Sequence, residues 1–143
     1  ERFGVDFMDG DDLHPQANID KMTSGYPLND EDRRPWLTNI AAWMAERADN
    51  GAVVACSALK HIYRDQLRKT CPDLVFVHLA GDCKFVAKRV EARTGHFMPT
   101  SLIDSQYATL EPLAADEAGI TLNFDDTREE LTTMAATWLA DVN

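Results

Sequence analysis

Residues 3–15 read Phe3-Gly4-Val5-Asp6-Phe7-Met8-Asp9-Gly10-Asp11-Asp12-Leu13-His14-Pro15, and the fold class turns on what they become. Phe3, Val5 and Phe7 alternate with the period of a strand, and Gly10 and Pro15 mark where regular pairing stops. The apolar stretch runs straight into three carboxylates, Asp9, Asp11 and Asp12. Acidic side chains at the carboxyl end of a strand in an α/β sheet sit where such sheets bind ligands. Clustered like charges repel. The turn therefore reads either as a solvated acidic loop or as a site for a cation, a metal or a polyhydroxylated ligand.

Outward from this stretch, strand patterns alternate with helical ones. Residues 18–24 suit a short helical turn ended by Gly25, with Pro27 preventing continuation. Asn29-Asp30-Glu31-Asp32 supplies a helix start, but Pro35 leaves two options: a helix beginning near Arg34, or a separate turn at 30–34. Trp36, Ile40 and Met44 then define an amphipathic helix over 36–48. Residues 52–56 form a continuous apolar strand, the pattern of a strand covered on both faces. A helix with Ile62, Tyr63 and Leu67 inward follows, ending near Cys71-Pro72, and residues 74–79 make a second buried strand. A helix over 82–93, a loop at 95–99, a helix over 101–110 and a strand over 120–124 come next. Thr127-Arg128-Glu129-Glu130 is a capping box for a final helix with the stripe Leu131, Met134, Ala135, Trp138, Leu139. Such alternation predicts an α/β parallel sheet with helices on both faces.

The 143 residues suit a single domain, 1–143, and 45% hydrophobic residues give it a core. A formal charge of -10 argues against a nucleic-acid face, which needs a basic surface to offset phosphate. No apolar run reaches the roughly 18–20 residues of a membrane span. Cys56, Cys71 and Cys83 are odd in number and lack a Cys-x-x-Cys pair, so they read as reduced thiols of a cytoplasmic protein rather than disulfides or a zinc site.

Several residues could carry chemistry. Asp9 and Asp11, two apart, share a face if strand geometry persists, so one could hold a metal-bound water while the other accepts a hydroxyl proton. An EF-hand loop is excluded, since its third acidic position falls on Leu13. Arg33 and Arg34 lie in an acidic stretch and read as a surface ion pair on their own. Arg89 and Arg93 are i, i+4 on the helix before Gly95-His96-Phe97; they suit either a solvated basic face or a lid over 89–99 that closes on phosphates. Lys60 follows a strand at its carboxyl end and points to the expected ligand crevice. His14 and His96, in loops beside polar groups, are better chemical candidates than His61 and His78, which read as structural.

Taken together these residues form a pattern. The run Phe7-Met8-Asp9-Gly10-Asp11-Asp12-Leu13-His14-Pro15, followed by Asn18-Ile19, Lys21-Met22, Gly25, Pro27-Leu28, Asp30, Asp32-Arg33 and Pro35-Trp36-Leu37, closely resembles gluconokinases. So do Cys56-Ser57-Ala58-Leu59-Lys60, Tyr63-Arg64-Asp65, Leu67-Arg68 and Arg93-x-Gly95-His96-Phe97-Met98. The resemblance implies a P-loop α/β kinase, similar in fold to shikimate and adenylate kinases, that moves the γ-phosphoryl group of ATP to the 6-hydroxyl of D-gluconate. It implies that Asp9 lies on the Mg²⁺ side, through water, and that Asp11 orients or deprotonates the attacking hydroxyl. His14, Arg33, Lys60, His96 and Gln106 become substrate contacts, with Arg33 or Lys60 meeting the carboxylate. Arg89 and Arg93 become nucleotide contacts, Arg93 also stabilising the transferred phosphoryl group. The segment 123–127, with Asp125, resembles the loop bordering adenine. Homodimers occur in this family, and the sequence marks no interface for one.

The resemblance also sets an expectation about what is missing. Members of the family place a central strand, a Gly-x-x-Gly-x-Gly-Lys-[Ser/Thr] phosphate loop and a helix before the Asp-Gly-Asp strand. No Gly-x-x-x-x-Gly-Lys-[Ser/Thr] occurs here, where seven glycines are scattered singly. The sequence thus reads as an N-terminally incomplete kinase-like domain that would phosphorylate poorly by itself. A related kinase for another sugar acid or polyol, or an inactive sugar-acid-binding fragment, are the competing expectations.

Overall fold

The computed structural model describes residues 4–81, 101–123 and 127–142. The helix expected over 82–93, the loop at 95–99 and the lid at 89–99 lie outside the described residues, as do Cys83, Arg89, Arg93, His96 and Asp125. The chain divides into two compact units.

The first unit begins with β1 (Asp6–Asp9), which pairs in parallel with β2 (Ala52–Ala55), Asp6 opposite Ala52 and Asp9 opposite Ala55. A 3₁₀ turn, Gly10–Leu13, follows β1 without a break. Gly10 approaches β2 so closely that a Cβ there would meet the Ala55 carbonyl oxygen at 2.6 Å and Ile40 Cδ1 at 3.3 Å. Only glycine fits this junction without a shift. Three helices come next, α1 (Gln16–Thr23), α2 (Asp30–Ala45) and α3 (His61–Thr70), and α4 (Ser101–Thr109) completes the unit.

The start of α2 settles the Pro35 question. Asn29 Oδ1 accepts the Asp32 N–H at 2.8 Å and Asp32 Oδ2 accepts the Asn29 N–H at 2.9 Å, a reciprocal cap that satisfies two otherwise orphaned donors. Asp30, Glu31 and Asp32 all lie in the first turn, where the helix dipole favours negative charge. One continuous helix therefore starts at Asp30 and runs through Pro35, whose missing N–H costs it one internal hydrogen bond. Trp36, Leu37, Ile40, Ala41 and Met44 form its buried stripe, and Tyr63 and Leu67 of α3 are buried with them in this unit. Each such side chain contributes roughly 1.5–3 kcal/mol by leaving water. Met22, Leu28 and Leu102 make a smaller cluster. The buried Arg64 donates to the carbonyls of Ala58 (2.7 Å) and Pro112 (3.3 Å), tying the loop after β2 to the segment after α4.

The second unit holds β3 (Phe76–Ala80), paired in parallel with β4 (Gly119–Asn123), and α5 (Arg128–Val142), which packs on β4. Thr127 Oγ1 accepts the Glu130 N–H at 3.1 Å, the expected cap of α5. Leu122 and Leu131 are buried, whereas Met134 at the same stripe is 37% exposed.

Three burial expectations need correction. Phe7, Val53 and Leu79 are 62%, 46% and 44% exposed, so the strands are not covered on both faces among the described residues. Each strand has one paired neighbour here, and an apolar run marks a strand suited to burial without supplying the layer that covers it. Ile62 is also exposed, because Tyr63 and Leu67, i and i+4, set the inward face of α3 and Ile62 lies about 100° round the helix from Tyr63.

Candidate active site

The acidic stretch is not an extended strand. The strand ends at Asp9, whose Oδ1 accepts the Asp11 N–H at 3.0 Å and thereby turns the backbone into the 3₁₀ segment. The expectation that Asp9 and Asp11 share a strand face is therefore replaced by a different arrangement. A short acceptor side chain at a strand end captures a nearby backbone donor, as Asp does in turns generally. Both carboxylates still act on one place. The pKa of the half-buried Cys56 thiol, just past β2, is pushed up to about 12 by burial first and then by the charges of Asp11 and Asp9. Cys56 and Cys71 are free thiols.

His14 closes the turn. Its imidazole stacks on the Trp36 indole, centroids 4.3 Å apart and planes inclined by 13°. Trp36 Nε1 donates to the Gly10 carbonyl at 2.7 Å, so one buried tryptophan braces both ends of the turn. Asn18 Nδ2 donates to the Asp32 carbonyl at 2.8 Å and lies 3.2 Å from His14 Nδ1. A carbonyl can only accept, so that Asn18 atom is the nitrogen; a primary amide nitrogen can only donate, so His14 Nδ1 is the acceptor and its proton sits on Nε2. Nε2 faces Asp11 Oδ1 at 3.9 Å. Burial, followed by the positive charge of Arg33, lowers the His14 pKa to about 4. His14 is a neutral donor at neutral pH.

A second cluster carries the cations. Arg33, on the first turns of α2, is buried, unlike Arg34, which makes the exposed pair with Glu31 at 3.1 Å. Arg33 NH1 donates to the Tyr63 hydroxyl at 2.9 Å, and that hydroxyl donates to Asp30 Oδ1. Lys60 Nζ, immediately before α3, donates to the same Asp30 oxygen at 2.9 Å. Both cations lie over the Tyr63 ring, at 5.5 Å and 5.8 Å from its centroid. Hydrogen bonds from Tyr63 and then Lys60 hold the Asp30 carboxyl below the usual range, and the bond to Asp30 raises Lys60. Lys21 pairs with Asp32 at 2.6 Å and depresses it likewise.

The structure thus gathers Asp9, Asp11 and His14 around one turn, and Arg33 and Lys60 around Tyr63, with the charge of Arg33 reaching His14. Gln106 is half-buried on α4 of the same unit. His96, Arg89, Arg93 and Asp125 fall outside the described residues. Sequence reasoning missed Asp30, Asn18 and the polar role of Tyr63. The spacing Lys60-x-x-Tyr63 at a helix start was the available signal for the last, since i and i+3 lie on one side.

The donor set at the acidic turn fits a hard divalent cation, because carboxylate oxygens are what Mg²⁺ selects. Among the described residues no three His, Cys, Asp or Glu side chains converge as a metal cage. Mg²⁺ keeps several waters and binds through one or two carboxylates plus phosphate oxygens.

No protein-family model matches the chain. The thermoresistant gluconokinase of Escherichia coli (strain K12) is 47% identical over 116 residues, which cover 80% of this chain and 66% of that protein. The chain therefore spans just under two thirds of that relative's length. A probable gluconokinase of Schizosaccharomyces pombe is 41% identical over 139 residues, 91% of this chain and 72% of the relative. The crystal structure of a gluconokinase from Sinorhizobium meliloti 1021 superposes with a TM-score of 0.86 at 43% identity, covering 97% of this chain and 79% of that one. Parallel strands flanked by helices are thus those of an α/β kinase fold. At these identities and lengths, with the acidic turn and the cation cluster in place, the chain belongs to the gluconokinase family.

Proposed function

We propose that the protein carrying this sequence phosphorylates D-gluconate to 6-phospho-D-gluconate with ATP and Mg²⁺, in the cytoplasm. The observation that carries this reading is the pairing, within one compact unit, of a carboxylate-rich turn at the end of a parallel strand with a two-cation cluster. A sugar acid needs both: one end is a hydroxyl to be activated, the other a carboxylate to be held. Gluconokinase relatives support the choice of gluconate.

In this reading Asp11 accepts a hydrogen bond from the 6-hydroxyl, aims it at the γ-phosphorus and takes its proton as the new O–P bond forms and the bond from the γ-phosphorus to the bridging oxygen breaks, releasing ADP. Phosphoryl transfer asks for positioning and charge stabilisation more than for covalent help. Neutral His14 donates Nε2–H to a sugar hydroxyl. Arg33 and Lys60 hold the carboxylate, and Gln106 and His96 contact the chain of hydroxyls. Arg89 and Arg93 meet the nucleotide phosphates, with Arg93 on the transferred group, and Asp125 borders the base. Asp9 would hold Mg²⁺ through water. Bound there, the ion supplies neutralisation of the phosphate oxygens.

The test is gluconate-dependent ADP release by the full-length protein with ATP and Mg²⁺, run beside a panel of other sugar acids and polyols. Turnover of gluconate above the rest is expected. Faster turnover of another sugar acid or polyol would move the assignment to a related kinase, and absence of turnover with retained gluconate binding would make the protein a binding module.

A further inference from the structure

Arg33 lies on α2 and Lys60 immediately before α3, yet a single chain of hydrogen bonds joins them: Arg33 Nη1 to Tyr63 Oη, Tyr63 Oη to Asp30 Oδ1, and Lys60 Nζ to that same oxygen. We propose that Tyr63 and Asp30 are positioning residues that set Arg33 and Lys60 as one carboxylate-recognising pair, so that together they decide for a sugar acid over the polyol of equal length.

The direction of the chain is forced. Guanidinium and ammonium groups donate only, so the Tyr63 hydroxyl must accept from Arg33 and give its own proton to Asp30. Tyr63 and Arg33 are 3% and 6% exposed, which leaves little room for water to replace the link. Arg33 spends one donor on Tyr63, leaving most of its five N–H groups for another acceptor. Lys60 likewise uses one of three N–H groups on Asp30. Both heads lie near the same aromatic ring, 5.5 Å and 5.8 Å from its centroid. Of the other charged groups nearby, Asp32 is committed to Lys21 at 2.6 Å and Glu111 to the His61 N–H at 3.0 Å. A substrate carboxylate meeting two preset cations gains charge-assisted bonds that a hydroxymethyl group cannot match. A site built this way also rejects the polyol by leaving its donors poorly paired.

This inference rests on the proposed sugar-acid reading. The experiment compares wild type, Tyr63→Phe and Asp30→Asn in the full-length protein, by steady-state kinetics with Mg-ATP and by calorimetric binding, using gluconate and glucitol. Tyr63→Phe keeps the ring and removes the link; Asp30→Asn changes an exposed first-turn residue and guards against misfolding of the buried variant. For Tyr63→Phe the expected result is a rise of about tenfold in KM and Kd for gluconate, the loss of one hydrogen bond to a charged group. The KM for ATP stays put, kcat falls by less than about threefold, and the preference for gluconate over glucitol drops by a similar tenfold. Asp30→Asn shifts the same preference in the same direction. Unchanged preference in both folded variants overturns the inference, as does a parallel change in ATP KM. If wild type binds gluconate no better than glucitol, the sugar-acid reading itself fails and this inference falls with it. Wild-type binding preference that Tyr63→Phe erases supports the inference even where turnover is absent.

Discussion

The indole of Trp36 lies flat on the imidazole of His14, 4.3 Å between centroids, while its Nε1–H donates to the carbonyl of Gly10 at 2.7 Å. One core side chain of α2 thereby fixes the 3₁₀ turn that carries Asp11. Trp36→Phe keeps an aromatic ring for the stack and removes the donor, leaving the buried Gly10 carbonyl short of a partner. A loss of about 1–3 kcal/mol is expected, read as a lowered urea midpoint with unchanged slope. Unaltered stability would show that the Gly10 carbonyl does not need this donor.

His14 makes stability depend on pH. Its folded pKa, about 4, lies below the ordinary value of 6.5, so the unfolded chain binds the proton more readily. Stability contributed by the neutral imidazole is present above pH 6.5 and is lost as pH falls from 6.5 towards 4, on the order of 3 kcal/mol in full. His14→Gln removes that part of the slope. Chemical unfolding at pH 4.5 and 7.5 should therefore separate the two proteins in how much stability they lose between these values, wild type losing more.

Asp11→Asn keeps the size of the side chain and removes the charge that the proposed function places beside the substrate hydroxyl. In the full-length protein kcat is expected to fall by about 10²–10⁴, the range for a positioned base, with a smaller change in gluconate KM. A variant retaining more than a tenth of wild-type kcat would strip Asp11 of this role.

Gly10→Ala places a Cβ 2.6 Å from the Ala55 carbonyl oxygen, a backbone atom that cannot swing aside. The strands must part or the turn must shift, at a cost of about 1–3 kcal/mol. Because Asp9 and Asp11 flank the site of the shift, the Mg²⁺ concentration needed for half-maximal turnover should rise as well. Melting temperature and a Mg²⁺ titration check the two effects separately.

Among the described residues most helix and strand positions were legible because their signals are local. The alternation into Gly10, the Asn29 to Asp32 cap and the Thr127 to Glu130 cap each depend on neighbours within four residues. Asp9, Asp11, His14, Arg33 and Lys60 were singled out from sequence as candidates, through chemical type, place at a strand end and family pattern. What could not be read was which of them meet. Arg33 and Arg34 are adjacent and identical in type, yet one is buried on Tyr63 and the other pairs with Glu31 in solvent, since a 100° step around α2 separates them.

By itself, then, the sequence determined the α/β class, the cap of α5, the acidic turn and the kinship with gluconokinases, all carried by short-range pattern and residue chemistry. Tertiary structure alone decided that Trp36 braces the Gly10 carbonyl, that the Asp32 carbonyl orients Asn18 so that His14 carries its proton on Nε2, and that Asp30 and Tyr63 join Arg33 to Lys60. The physical reason is separation along the chain. The bonds that define Arg33 and Lys60 span 30 residues, and the Trp36 bond to Gly10 spans 26. Such pairings exist only after α2 and α3 have packed, because burial is what makes each of those donors require that particular acceptor.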